Sequence, residues 1–280
     1  MNFTKYLFFS VAILSIVPTF AFPDTGNWLF QRGATTTIYI GNNEKEVVKT
    51  AVGLLRKDVK MVTGADLKEV SSAAQAQIVV QTPRSFKGKW ENFSISVNGK
   101  QVFISGSDAR GKAYGILELS RMLGVSPWHY FADSKPQIMD KFAYPAEVKA
   151  HTPSVKYRGI FLNDEDWGLM PWATGTLAPG STKGAIGPEA YEKIFELMLR
   201  LRANTIWPAM HECTVPFYFV KGNREMADRY GIVVGTSHCE PLLRNSATEW
   251  DAAGTGDYNF VTNRPNVENY WAERLKELKT

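Results

Sequence analysis

The chain has 280 residues, 44% of them apolar and 21% charged, and a formal net charge of +4. That composition is ordinary for a globular protein, and the length allows two domains. The basic residues are scattered rather than gathered in a stripe with interleaved aromatics, which argues against nucleic acid as a partner.

The first residues read as an export signal. Lys5 supplies a positive start, Tyr6 to Val17 is almost wholly apolar, and Thr19-Phe20-Ala21 places small residues where a signal peptidase inspects the chain. Cleavage after Ala21 is expected, which would leave the protein periplasmic or extracellular. No later segment is apolar enough for stable membrane insertion.

Residues 22–150 read as a small α/β domain. Ala34 to Ile40 has strand composition. From Glu44 to Met61, Val47, Val48, Ala51, Leu54, Leu55 and Val59 recur at helical spacing, with Gly64 as the stop. Gln77 to Gln81 is a short apolar strand. Phe93 to Val97 and Gln101 to Ser105 flank Asn98-Gly99, a hairpin signal. Ser107-Asp108 caps a helix over Ala109 to Leu123 that Gly124 ends. Ser134 to Pro153, with three prolines, reads as a partly extended linker.

Residues 151–280 change grammar. Strand-like runs at Lys156–Leu162, Ala203–Ala209 and Gly231–Ser237 alternate with helices expected over Pro188–Arg202, Asn223–Tyr230 and Asn266–Leu278, the last capped by Asn266. Repeated strand–helix units predict a parallel sheet with buried strands. Gly168 to Gly187 is expected to be a long loop. No glycine-rich phosphate loop follows any strand, which lowers the open doubly wound alternative. The expected fold class is therefore α/β: a small N-terminal α/β domain, then the first part of a TIM-type (β/α)8 barrel. About three units are present, whereas a closed barrel takes eight.

Each strand-like run ends in chemistry-bearing residues: Asn163-Asp164-Glu165-Asp166-Trp167, then Met210-His211-Glu212-Cys213, then His238-Cys239-Glu240. Barrel enzymes build active sites at the carboxyl ends of their strands. A pair of carboxyl groups across such a mouth is the working part of a glycosidase, one protonating the leaving oxygen and one activating water. Any single strand-end acid is more often a cap or a loop ion pair, but three successive clusters argue against coincidence. Glu212 and Glu240 are the leading catalytic candidates, each near a histidine (His211, His238), with Asp164 behind them. Trp167, Trp172 and Trp207 lie near the proposed mouth, where a flat ring suits a sugar face, although core packing is the commoner use of any one of them.

A metal reading of His211, Glu212, His238 and Glu240 lacks the His-Glu-x-x-His spacing, so neither a metal nor a cofactor is expected. Ser237 has no nucleophile-elbow pattern. Cys213 and Cys239 follow neighbouring strands. Two separate buried thiols are favoured over a disulfide.

Several long strings resemble glycoside hydrolase family 115, the xylan α-1,2-glucuronidases. They are Arg158 to Trp167 (RGIFLNDEDW), Ala203 to Glu212 (ANTIWPAMHE) and Gly235 to Pro241 (GTSHCEP). Gly111 to Ser120 (GKAYGILELS) and Gly124 to Trp128 (GVSPW) resemble the end of that family's N-terminal α/β domain. The resemblance implies an N-terminal portion of an inverting enzyme. Such an enzyme releases glucuronic or 4-O-methylglucuronic acid from glucuronoxylan or aldouronic oligosaccharides, with Glu212 in the catalytic machinery. Asn163, Trp167, Trp207, His211 and His238 would contact the sugar, and a homodimer is an expectation for the full-length protein only. The 280-residue chain alone is expected to be inactive. A non-catalytic carbohydrate-binding or interaction module is the alternative of a different class, and a hexosaminidase-type layout stands third.

Overall fold

The computed structural model describes residues 28–149, 152–163, 165–246 and 248–278. The expected export segment, its cut after Ala21 and the candidate Asp164 lie outside the described residues. Among those described, no helix is long and apolar enough to cross a membrane.

The N-terminal region is built on a six-stranded sheet of order β3-β2-β4-β6-β5-β8. Its strands are β2 (Thr35–Tyr39), β3 (Asp66–Glu69), β4 (Ile78–Gln81), β5 (Phe93–Asn98), β6 (Gln101–Gly106) and β8 (Val148–Lys149). β2, β3, β4 and β6 run parallel, while β5 is antiparallel to β6 and to β8. Helix α1 (Glu46–Thr63) follows the expected periodicity. It buries Val48, Leu55, Val59 and Val62 completely, and Gly64 ends it at φ 71° by donating its N–H to the Lys60 carbonyl. That left-handed turn is what glycine permits. Helix α2 (Ala109–Met122) starts as expected at Asp108, whose carboxylate accepts the Gly111 N–H at 2.8 Å.

Three features differ from the expectation. Asn98 pairs with Gln101, so the hairpin turns on Gly99-Lys100, one residue later than Asn98-Gly99. β3 escaped notice because three of its four residues are exposed and polar, and it is held by pairing with β2 alone. The proline-rich segment is extended but not a free linker. β7 (Lys141–Ala143) pairs with β1 (Trp28–Gln31), and β8 closes the sheet edge against β5.

The C-terminal region opens with three parallel strands in the order β11-β10-β9. They are β9 (Gly159–Phe161), β10 (Thr205–Trp207) and β11 (Val233–Val234), linked through α3 (Pro188–Arg200) and α4 (Asn223–Tyr230). They are shorter than expected and not uniformly buried. Ile206 is fully enclosed, while every residue of β9 is exposed. Ile206 is enclosed on one face of this sheet, while its register partner Ile160 on the edge strand β9, and Phe161 and Trp207 on the other face, stay part-exposed. The expected loop after β9 begins as wound π-helical turns, Glu165–Leu169 and Trp172–Leu177. Two further helices, α5 (Glu249–Ala253) and α6 (Arg264–Glu277), follow. Asn266 does not cap α6. The helix starts two residues earlier, and the Asn263 amide at its start donates to the Thr255 and Asp257 carbonyls instead.

One continuous apolar core joins the two regions, running from Leu55, Ile104 and Leu119 to Phe195, Leu199 and Ile206. Below the amino ends of β9 and β10 sits Glu91, whose side chain is fully enclosed. Arg110 and Arg158 both donate to its carboxylate, and the Asn204 amide donates at 2.8 Å. Asn204 also accepts the Arg158 N–H at 2.9 Å and donates to the Lys156 carbonyl at 2.8 Å. A buried carboxylate survives only with such partners, and these bind the hairpin, α2 and two strand starts into one unit. Further ties are Arg200 to Asp58 at 2.9 Å and Arg202 to Glu118 at 2.9 Å.

Candidate functional site

The carboxyl ends of β9, β10 and β11 collect the residues marked by the sequence, but not all in one place. After β9, Asn163 lines an open cleft of about 840 Å³ with Phe161, Leu162, Leu169 and Trp172. The far wall is His129, Tyr130 and Phe131, which follow α2 in the N-terminal region. Trp172 meets Phe131 at 5.8 Å and Tyr130 at 6.4 Å between ring centroids. Lys193 lies 5.1 Å from the Tyr130 ring. Flat rings beside an amide are what a sugar face needs for stacking and orientation. Sequence reasoning marked Asn163 and Trp172 but missed Tyr130 and Phe131, since nothing local says that the post-α2 turn reaches the end of β9.

Trp207 and Phe161 pair across β10 and β9 at 5.7 Å and 65°, both part-exposed on the open side of the sheet. Trp167 is 88% exposed, so in this chain it packs on little and is available to a ligand. Glu212 and His238 face solvent.

Glu240 is placed differently: it is 5% exposed and lies within reach of the Asn245 amide at 3.5 Å. Asn245 also donates to the Met210 carbonyl at 3.0 Å, which links the loop after β11 to that after β10. Behind it Glu249, 1% exposed, accepts from Arg244 and Arg274 at 2.5 Å each, and the Tyr270 hydroxyl donates to the Asn245 carbonyl at 2.8 Å. Burial pushes the neighbouring Tyr218 phenol up to about 12, with the Arg274 charge pulling against it. Glu240 is thus held by a fixed polar scaffold, while Glu212 meets solvent.

His211 meets Asp166 at 3.3 Å between Nδ1 and Oδ1. The Cys213 thiol donates to the same carboxylate oxygen. Cys213 and Cys239 remain separate thiols, as expected, but neither is buried: Cys213 is exposed and Cys239 intermediate. Their strand-end turns lie at the rim of a sheet whose open side faces solvent.

The model of glycosyl hydrolase family 115 matches residues 150–280, and that of glycosyl hydrolase family 20, domain 2, matches residues 14–138. The fold superposes on a family GH115 4-O-methyl-α-glucuronidase with specificity for decorated arabinogalactans, with a TM-score of 0.85 and 44% identity. That match covers 90% of this chain and 35% of that enzyme, so the chain spans about a third of its relative's length. A Streptomyces plicatus β-hexosaminidase matches at 13% identity and a TM-score of 0.50, covering 75% of this chain and 42% of that one, which is a likeness of fold. A search of curated proteins returns no match.

Proposed function

From a chain that belongs to glycoside hydrolase family 115 and corresponds to its N-terminal portion, we infer part of an exported enzyme that hydrolyses α-linked glucuronic or 4-O-methylglucuronic acid from a plant polysaccharide. The observation that carries this reading is the set of acids, histidines and tryptophans at the carboxyl ends of three adjacent parallel strands, in a chain 44% identical to a 4-O-methyl-α-glucuronidase. In this reading β9, β10 and β11 open a TIM-type barrel, and the aromatic cleft beside Asn163 receives sugar rings.

Inverting hydrolysis needs one carboxylic acid to protonate the glycosidic oxygen and one carboxylate to take a proton from water on the opposite face. The two groups stand about 6.5–9.5 Å apart. Glu212, exposed at the mouth, suits the base or the network that orients its water. Glu240, enclosed beside Asn245, suits a positioning role that fixes the loop carrying His238. Asp164 completes the acidic set after β9. Trp167, Trp207 and Asn163 would contact the sugar. Three strand–helix units do not close a barrel, so the chain alone is expected to show little turnover.

The test is a chimera in which this chain replaces the matching third of the arabinogalactan-specific relative, assayed for uronic acid release from glucuronoxylan, aldouronic oligosaccharides and decorated arabinogalactan. Uronic acid release is expected, and the preferred polymer identifies the substrate backbone. Glu212→Gln in that chimera should lower kcat by roughly 10²–10⁴-fold, the worth of general acid–base assistance. Near-normal kcat in a folded variant removes Glu212 from the reaction. A folded chimera that binds xylan or arabinogalactan without cleaving it supports the binding-module alternative. Export is checked by mass spectrometry of the mature protein, whose first residue is expected to be Phe22.

A further inference from the structure

We propose that Asp166, His211 and Cys213 form a site for a borderline or soft divalent cation, with Zn²⁺ the natural occupant, joining the loops after β9 and β10. One ligand atom from each residue lies within 4.8 Å of the other two. Around a tetrahedral zinc, bond lengths of about 2.0–2.3 Å put ligand atoms roughly 3.3–3.7 Å apart. His211 Nδ1 and Asp166 Oδ1 already stand at 3.3 Å. The Cys213 thiol, now bonded to that carboxylate, has only to exchange a hydrogen bond for a shared metal.

The donor set decides the class of cation. Thiolate and imidazole favour Zn²⁺ and its neighbours over Mg²⁺ and Ca²⁺, which prefer oxygen. Three protein ligands with Asp166 and His211 part-exposed, at 39% and 57%, leave a fourth position for water. The turn that presents His211 and Cys213 is set before any metal arrives. The Thr214 N–H donates to the His211 carbonyl and the Val215 N–H to the Gly184 carbonyl, each at 2.9 Å. A side chain at Gly184, which sits at φ +81°, would strike the Cys213 carbonyl. Asp166 is carried by the wound stretch Glu165–Leu169. The cation binds by displacing the Cys213 thiol proton to solvent, with no change of oxidation state.

The site shares its turn with Glu212, but its test reads metal rather than turnover, so it stands or falls apart from the glycosidase reading. The purified 280-residue chain, stripped with chelator and kept reduced, is titrated with Zn²⁺ at neutral pH by calorimetry and, in parallel, with Co²⁺ by absorption. The expected result is one tight Zn²⁺ per chain. The Co²⁺ spectrum should show tetrahedral d–d bands with thiolate-to-cobalt charge transfer. Both signals should persist in Cys239→Ser. The charge-transfer band should vanish in Cys213→Ser, and His211→Ala and Asp166→Asn should each weaken Zn²⁺ binding by about tenfold or more. Equal Zn²⁺ affinity in the His211→Ala/Cys213→Ser double variant overturns the proposal, as does a wild-type Co²⁺ complex without a thiolate band. Circular dichroism checks that the variants fold, and the wild-type cobalt spectrum decides even where they do not.

Discussion

The two ends of the β9–β11 sheet are built on opposite principles. At the amino ends, Glu91, Arg110, Arg158 and Asn204 form an enclosed polar cluster in which each charge has a fixed partner. At the carboxyl ends, Trp167, Trp207, His211, Glu212 and His238 reach solvent. The same short strands thus end in a paired polar cluster below and in solvent-facing side chains above, and the contrast predicts where substitutions act on stability and where they do not.

The largest effect is expected from Glu91→Ala, which leaves Arg110 and Arg158 without their shared counter-charge. Breaking a buried pair by removing one partner costs about 3–5 kcal/mol, so urea unfolding should shift by that amount. A loss under about 1 kcal/mol would mean that water replaces the carboxylate.

Next comes a matched pair of apolar truncations. Leu55→Ala, at a fully enclosed position in α1, should cost about 2–5 kcal/mol. Ile160→Ala, 45% exposed on β9, should cost less than about 1 kcal/mol, because little area is removed from water. Equal losses in thermal or urea unfolding would show that the β9 edge of the sheet is covered in solution.

The smallest effect is one of pH. Burial works to raise the Glu118 carboxyl, but the Arg121 hydrogen bond and charge, joined by Arg202, outweigh it and hold the group below 4.5. A carboxyl lowered on folding adds stability that is complete above its unfolded value and is lost as pH falls through the folded one. Glu118→Gln should therefore flatten the decline in stability below about pH 4.5 and lower stability at neutral pH. An unchanged slope in acid unfolding curves would assign that decline to other carboxylates.

What the sequence revealed depends on how local the cause was. α1 was legible because its core-facing residues repeat every three to four positions and Gly64 must take a left-handed turn. α4 was legible within its own bounds. α2 was legible through the short reach from Asp108 to the Gly111 N–H. The strand-end acids were legible as a pattern. By contrast, β3, β7 and β8 are two to four residues long and exist through partners far along the chain, so no periodicity marks them. Glu91 looks like any acid beside a tryptophan until the fold encloses it. Asp166, His211 and Cys213 come together only because a wound segment and a turn held by Gly184 bring two loops side by side. Metal spacing rules, which read ligands along one helix or loop, pass over such a trio.

The turn between α4 and β11 is held by the N-terminal region. Gly231 sits at φ 65°, where a side chain would be strained and would crowd Val47 at 3.2 Å, its carbonyl accepts from Arg110 at 3.0 Å, and the Arg229 carbonyl accepts from Thr50 at 3.2 Å. Glycine-sized space at 231 and a β-branched residue at 47 are two halves of one steric agreement between distant parts of the gene. Across related enzymes these positions should drift together. Recombination that exchanges the first 150 residues between relatives should succeed most often when the incoming segment brings a residue at 47 no bulkier than valine and donors at 50 and 110.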